Sequence, residues 1–266
     1  YLSYVYPGED LECPLPDCEI TYRSLDRDFN LFFLGELGLG GVLRDDISSA
    51  ERRIFAIATS WEGKGIYNVL HQPEEDGIAL DTYCIVGLLT ENEVMAQTVL
   101  ETYNDGHWLS DDYYQGESSF RRLADESWCV RLLLATSPGT DEPVDMIVEE
   151  TLILHESPVS DLAKMIGTLH TLFVLHDAKD ARLSLYQDYV YQHIPLIEED
   201  TLTLANVMDA LLQTGFPKEK LSSVQKDLVS RQHEEGFWYA NPDEEKNAHV
   251  FTTFRAVSAL ARYDAS

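Results

Sequence analysis

Two kinds of segment with helical apolar spacing alternate along this chain, and the alternation restricts its fold more than any other feature. One kind is apolar on nearly every face: "LDRDFNLFFLGELG", "IALDTYCIVGLL", "RLADESWCVRLLLA", "LAKMIGTLHTLFVLH", "DTLTLANVMDALLQTG" and "NAHVFTTFRAVSALARY". The other keeps a charged face: "DISSAERRIFAIATSW", "ENEVMAQTVLETY", "EPVDMIVEETLIL", "ARLSLYQDYVYQHI" and "PKEKLSSVQKDLVSRQ". A helix without a polar face has to be covered all round. An amphipathic helix can do the covering while it faces water, so the pattern predicts an all-α fold with an inner helical layer wrapped by an outer one.

The spacing of a short motif gives the alternation a period. "LVSRQHEEGFW" runs from Leu228 to Trp238, and "LETYNDGHW" repeats it at Leu100, Gly106 and Trp108, with Asn104 in place of the glutamine. "GIY" from Gly65 is a weaker copy. Gly65 and Gly106 lie 41 residues apart and Gly106 and Gly236 lie 130 apart, which is three units of about 43. Six such units nearly fill the 266 residues, matching the six apolar segments, and no Pro-, Gly- or Ser-rich linker interrupts them. Residues 1–266 are therefore expected to form a single domain.

Charge removes several function classes. Lys and Arg number 19 against 47 Asp and Glu, a formal net charge of -28 spread along the whole chain. Such a surface repels nucleic acid and anionic bilayers and is of the kind that salt-adapted proteins carry. No apolar run reaches the ~18 residues of a membrane span, and no basic-then-apolar leader opens the sequence. Four scattered cysteines, Cys13, Cys18, Cys84 and Cys129, are too few to staple a chain of this size, so reduced thiols and a cytoplasmic location are expected.

The pattern Leu-x3-Gln-x3-Gly-x-Trp at Leu228 to Trp238 resembles the QW repeat of the terpene cyclase and protein prenyltransferase superfamily, and the chain is closest to the β-type domain of class II terpene cyclases. The resemblance implies an α/α toroid of six inner helices surrounded by outer helices. In physical terms glutamine would bond the open backbone groups at the end of an outer helix, glycine would permit the turn, and tryptophan would pack under the next unit. The motif carries structure and no chemistry.

Aligning the inner helices puts Phe29, Tyr83, Trp128, Leu169, Asn206 and Phe254 at one level, and Asn30, Cys84, Cys129, His170, Val207 and Arg255 at the next. Aromatic faces at one level could shelter an isoprenoid and hold a carbocation, which makes Phe29, Tyr83, Trp128, Phe254 and Arg255 candidate substrate-binding residues; ordinary core packing is the alternative. "RLADESWCVRLLL" resembles the protonating segment of class II cyclases. Laid over that pattern, Asp125 takes the general acid's position, Glu126 follows it and tunes it, Ser127 replaces a threonine, and Leu123 stands where the first aspartate would be. The competing reading makes Asp125 and Glu126 first-turn carboxylates favoured by the helix dipole, as Asp81 would be.

Cys84, Cys129 and His170 share a level and offer two thiolates and an imidazole, a donor set suited to zinc. The prenyltransferase β subunits of the same superfamily hold zinc with Asp, Cys and His, and Asp81 and His249 lie near comparable positions. No redox cofactor is implied. The expected function is isoprenoid handling by a class II-like cyclase, in which Asp125 protonates an alkene or epoxide. A non-catalytic toroid that binds a lipid or a protein is the alternative, a zinc-dependent prenyltransferase-like protein a second, and a carbohydrate-active toroid ranks last.

Overall fold

The structure is a computed structural model and describes residues 31, 44–62, 64, 66–67, 78–103, 108, 119–136, 141–197, 200–240 and 249–266. Among them ten α-helices account for almost all regular structure: α1 (Arg44–Trp61), α2 (Leu80–Thr90), α3 (Glu93–Thr102), α4 (Ser119–Thr136), α5 (Asp141–Glu156), α6 (Asp161–Asp177), α7 (Leu183–His193), α8 (Thr201–Gln213), α9 (Ser222–Ser230) and α10 (His249–Ala265). Two short strands, β1 (Ile66–Tyr67) and β2 (Ile78–Ala79), pair in parallel with Ile66 opposite Ile78. The fold class is all-α, as the periodicity predicts. Each apolar and each amphipathic segment within the described residues is a helix; "LDRDFNLFFLGELG", with Phe29 and Asn30, lies outside them apart from Leu31.

Burial follows the two kinds of segment. No residue of α2 or α8 is exposed, whereas α3, α5, α7 and α9 each turn a row of exposed side chains to water. The apolar segments are thus the covered ones, as a helix without a polar face requires.

The chain divides into two compact units. The larger comprises Ile54–Glu198 and Gln213–Phe216. Within it α4 packs along both α2 and α6 to make a three-helix inner layer, and α3, α5 and α7 cover that layer. Gly167 lets α6 approach α5 closely, because a Cβ there would collide with the Leu154 side chain. Hydroxyls buried between these two helices satisfy one another, Thr151 Oγ1 lying 2.5 Å from Thr171 Oγ1 and also donating to Ile147 O. Asn92 caps α3 by accepting from Met95 N, and Ser160 caps α6 by accepting from Ala163 N.

Cys84 and Cys129 form a disulfide between α2 and α4, with Cα atoms 5.0 Å apart and neither residue exposed. The expectation of reduced thiols is corrected for this pair: two helices packed this closely bring the side chains within bonding reach. Cys13 and Cys18 lie outside the described residues.

At the end of the outer layer, Tyr189 stacks on His155 of α5 (centroids 4.4 Å apart) and on His193 of its own helix α7 (4.0 Å). Thr168 of α6 donates to Lys164 O, so its oxygen accepts from His155 Nε2–H at 2.8 Å. Burial, with Lys164 and His193 nearby, holds the His155 pKa below its ordinary value.

The smaller unit comprises Tyr1–Arg53, Glu199–Leu212 and Pro217–Ser266. Its described core includes Leu31, Ile47, Ala50 and Phe254. Asp209 of α8 is buried and accepts from Arg262 Nε of α10 at 2.7 Å. Arg231, just past α9, grips Asp227 with two nitrogens and reaches Thr201 Oγ1 of α8.

Two measurements test this packing. The disulfide spans 45 residues, and closing a loop of that length in the unfolded chain is worth on the order of 4 kcal/mol. A Cys84→Ala/Cys129→Ala variant is expected to melt about 10 °C lower in a domain of this size, and reductant should lower the melting point of the parent but not of the variant. For His155 the folded pKa is the depressed one, so its stabilising contribution is complete above the unfolded value of about 6.5 and is lost as pH falls through the folded value. Between pH 7.5 and pH 5 the parent should therefore lose more melting temperature than His155→Gln, which cannot charge; equal losses would show that His155 takes up its proton alike in the folded and unfolded chain, with no depression of its pKa on folding.

Candidate functional site

Both described motif tryptophans make the same pair of bonds. Trp238 Nε1 donates to Leu228 O at 2.7 Å and its backbone N–H to Thr253 Oγ1 of α10 at 3.0 Å. Trp108 Nε1 donates to Val99 O at 2.7 Å and its backbone N–H to Glu126 Oε1 of α4 at 3.1 Å. Each indole closes a carbonyl near the end of an outer helix, while the adjacent backbone fastens the loop to the next inner helix. Glutamine has a smaller part than the sequence reading gave it. Gln232 Nε2 reaches Gly236 O within the turn, and the helix-end carbonyl goes to the tryptophan. Gly236 does permit the turn, at φ +90. Asn104, Gly106 and Gly65 lie outside the described residues.

Glu126 is consequently part of a staple. Its side chain is 0 % exposed, one oxygen accepting from Trp108 N and the other 3.6 Å from Arg122 Nε, while Arg122 Nη2 donates to Glu150 of α5 at 2.9 Å. Asp125, the next residue back, is half-buried. It sits seven residues into α4 instead of opening the helix, because α4 begins at Ser119, so the helix N-terminus does not set its environment. Asp81 does occupy a first turn, and its Oδ1 accepts from Thr82 N at 2.6 Å.

The three residues read as zinc ligands do not form a ligand set. Both thiols are consumed by the disulfide, and His170 Nδ1 lies 3.2 Å from Ser127 Oγ, whose own proton goes to Ala124 O. Among the described residues no group of three His, Cys, Asp or Glu side chains is placed to hold a metal.

The candidate substrate residues separate. Tyr83 is fully buried and stacks on Trp61 at the end of α1, ring centroids 6.5 Å apart, so its ring belongs to the packing between layers. Burial raises its pKa, with the nearby Thr98 hydroxyl opposing the shift. In the smaller unit Phe254 is a core side chain, and the Arg255 guanidinium lies 5.7 Å from its ring centroid. Burial holds the Arg255 pKa below its ordinary value, opposed by Asp209. Phe29 lies outside the described residues.

Trp128 has different surroundings. Asp125, Trp128 and Arg131 on α4, and Ile166, His170, Phe173 and Asp177 on α6, recur at three- and four-residue spacing and are all half-buried. The two stripes touch. The Trp128 ring meets His170 edge-on at 6.2 Å, and the Arg131 guanidinium lies 4.9 Å from the Trp128 centroid and 5.0 Å from the Phe173 centroid. Arg131 Nε donates to Asp177 Oδ2 at 2.6 Å. A planar cation is thus fixed by two rings and a carboxylate on a surface that water partly reaches.

Sequence reasoning passed over Arg131, Phe173 and Asp177. The available signal was the period itself, since Arg131 and Phe173 lie 42 residues apart and Asp177 is one turn further along the same helix face. No protein-family model matches the chain, and neither a curated protein nor a solved structure matches it.

Proposed function

We propose that this chain is a binding protein built as an α/α-repeat toroid of the terpene cyclase and prenyltransferase kind, and that it holds an apolar small molecule of isoprenoid character against the half-buried stripe of α4 and α6. The observation that carries this reading is the place of Arg131 between Trp128 and Phe173. Aromatic faces that were to stabilise a carbocation would have to be open to it, and here a guanidinium already lies against both rings. A second positive charge brought to the same faces would be repelled. The rings' remaining apolar surface, on a helix face that also carries Ile166, suits a hydrocarbon chain that needs no charge stabilisation. Glu126 is engaged in the Trp108 staple through Trp108 N and Arg122.

The reading retains no metal. It also favours a compartment in which thiols oxidise over the cytoplasm first expected, because a disulfide persists most readily there. No helix among the described residues is long and apolar enough to cross a membrane.

A second reading keeps the cyclase, favoured by Asp125 standing one turn before Trp128 on the same stripe. Its acid would need shielding from water that a half-buried carboxyl has only in part.

Two experiments decide. Titration with farnesol, followed by tryptophan fluorescence, should give saturable binding that weakens at least ~10-fold in a folded Trp128→Ala variant; no saturation, or unchanged affinity in the variant, would reject the stripe as the binding surface. Incubation with squalene or its epoxide should yield no cyclised product. Product formation that falls ~10²-fold in Asp125→Asn, the scale of a lost general acid, would establish the second reading over the first.

A further inference from the structure

We propose that Arg131 is the head-group subsite of this binding surface, and that the ligand is an amphiphile with a single oxyanion head, a carboxylate or phosphate monoester, on an apolar tail. The inference rests on the binding reading above and adds the chemistry of the polar end. Several observations point to Arg131. The chain carries 19 basic residues against 47 acidic ones, so an anion is repelled over most of its surface and needs a specific cation to be held. Arg131 is the cation on the contacting stripes of α4 and α6. It is also fixed in orientation: Trp128 and Phe173 lie against the guanidinium at 4.9 and 5.0 Å, and Asp177 takes the Nε edge at 2.6 Å.

A guanidinium has two edges that can bind an oxyanion in a forked manner. Asp177 occupies the one that includes Nε, and the Nη edge donates to no side chain or backbone among the described residues. The group is neither sealed nor washed by bulk water, with 18 % of the Arg131 side chain and 27 % of Asp177 accessible. In that setting a charge-assisted bond is stronger than at an open surface. Asp177 lowers the attraction for an anion and in return fixes the plane of the fork, which reduces the ordering cost on binding. A tail leaving such a head meets the rings of Trp128 and Phe173 and the side chain of Ile166 on the same stripe. Apolar contact then supplies the affinity and the fork supplies the selection.

The test compares three probes with the same twelve-carbon tail, dodecanoate, dodecyl phosphate and dodecanol, each below its micelle concentration, with the disulfide-intact chain. Both anions should bind about 10-fold or more tightly than the alcohol, the scale of one charge-assisted bond. Arg131→Gln should remove the advantage of both anions over the alcohol, with circular dichroism verifying the fold. Whichever anion is preferred identifies the head as carboxylate or phosphate. Should Arg131→Gln fail to fold, Arg131→Lys, which keeps the charge and loses the fork, provides the discrimination by reducing the advantage of both anions over dodecanol. Equal affinity for all three probes, or an equal loss for all three in the variant, would overturn the head-group subsite while leaving apolar binding intact. Binding of none of the three would overturn the binding reading together with this one.

Discussion

A carbonyl in the last turn of a helix lacks the amide donor four residues on that interior carbonyls have, and it can take a donor from elsewhere. In this chain it is met by an indole. Trp108 and Trp238 each donate to such a carbonyl of an outer helix, and the backbone N–H of the same residue is bound by a side chain of the following inner helix, Glu126 in one case and Thr253 in the other. One residue thereby fixes where an outer helix stops and where the next inner helix stands. In the larger unit the Trp108 staple lies on the same α4 that packs along α2 and α6.

The helices were legible because burial and amphipathicity act on whole segments, and a segment such as "LAKMIGTLHTLFVLH" cannot be placed at a surface without exposing most of its side chains. Levels between neighbouring helices were legible too. Cys84 and Cys129 were assigned one level and are bonded, and His170, assigned the same level, lies against Ser127 and Trp128. What the period could not give was distance. The same level reads as a ligand set if the helices stand apart and as a disulfide if they touch, and the separation depends on side-chain volumes summed over whole interfaces.

The site was less legible, for a related reason. Tyr83 and Trp128 are at one level by sequence, yet one faces the outer layer under Trp61 while the other stands half-buried beside Arg131. A rotation of a fraction of a helical turn separates those outcomes, and helical spacing is too coarse to resolve it when nearly every face is apolar. Glu126 shows the opposite difficulty. Adjacent carboxylates in "ADES" look equivalent in a sequence, but successive residues on a helix point about 100° apart. One therefore enters the core, where Arg122 and the Trp108 amide receive it, while the other remains at the stripe.

The tryptophan staples also bear on how such a chain could have come about. Each joins an outer helix only to the inner helix that comes next, with partners 15 to 18 residues beyond the tryptophan. A stretch carrying one outer helix, its turn and the following inner helix thus contains every atom its own junction needs. Duplication or loss of a whole unit would leave the remaining junctions complete, whereas a few residues gained between tryptophan and acceptor would break one. The acceptor itself is open to exchange, since threonine serves one junction and glutamate the other.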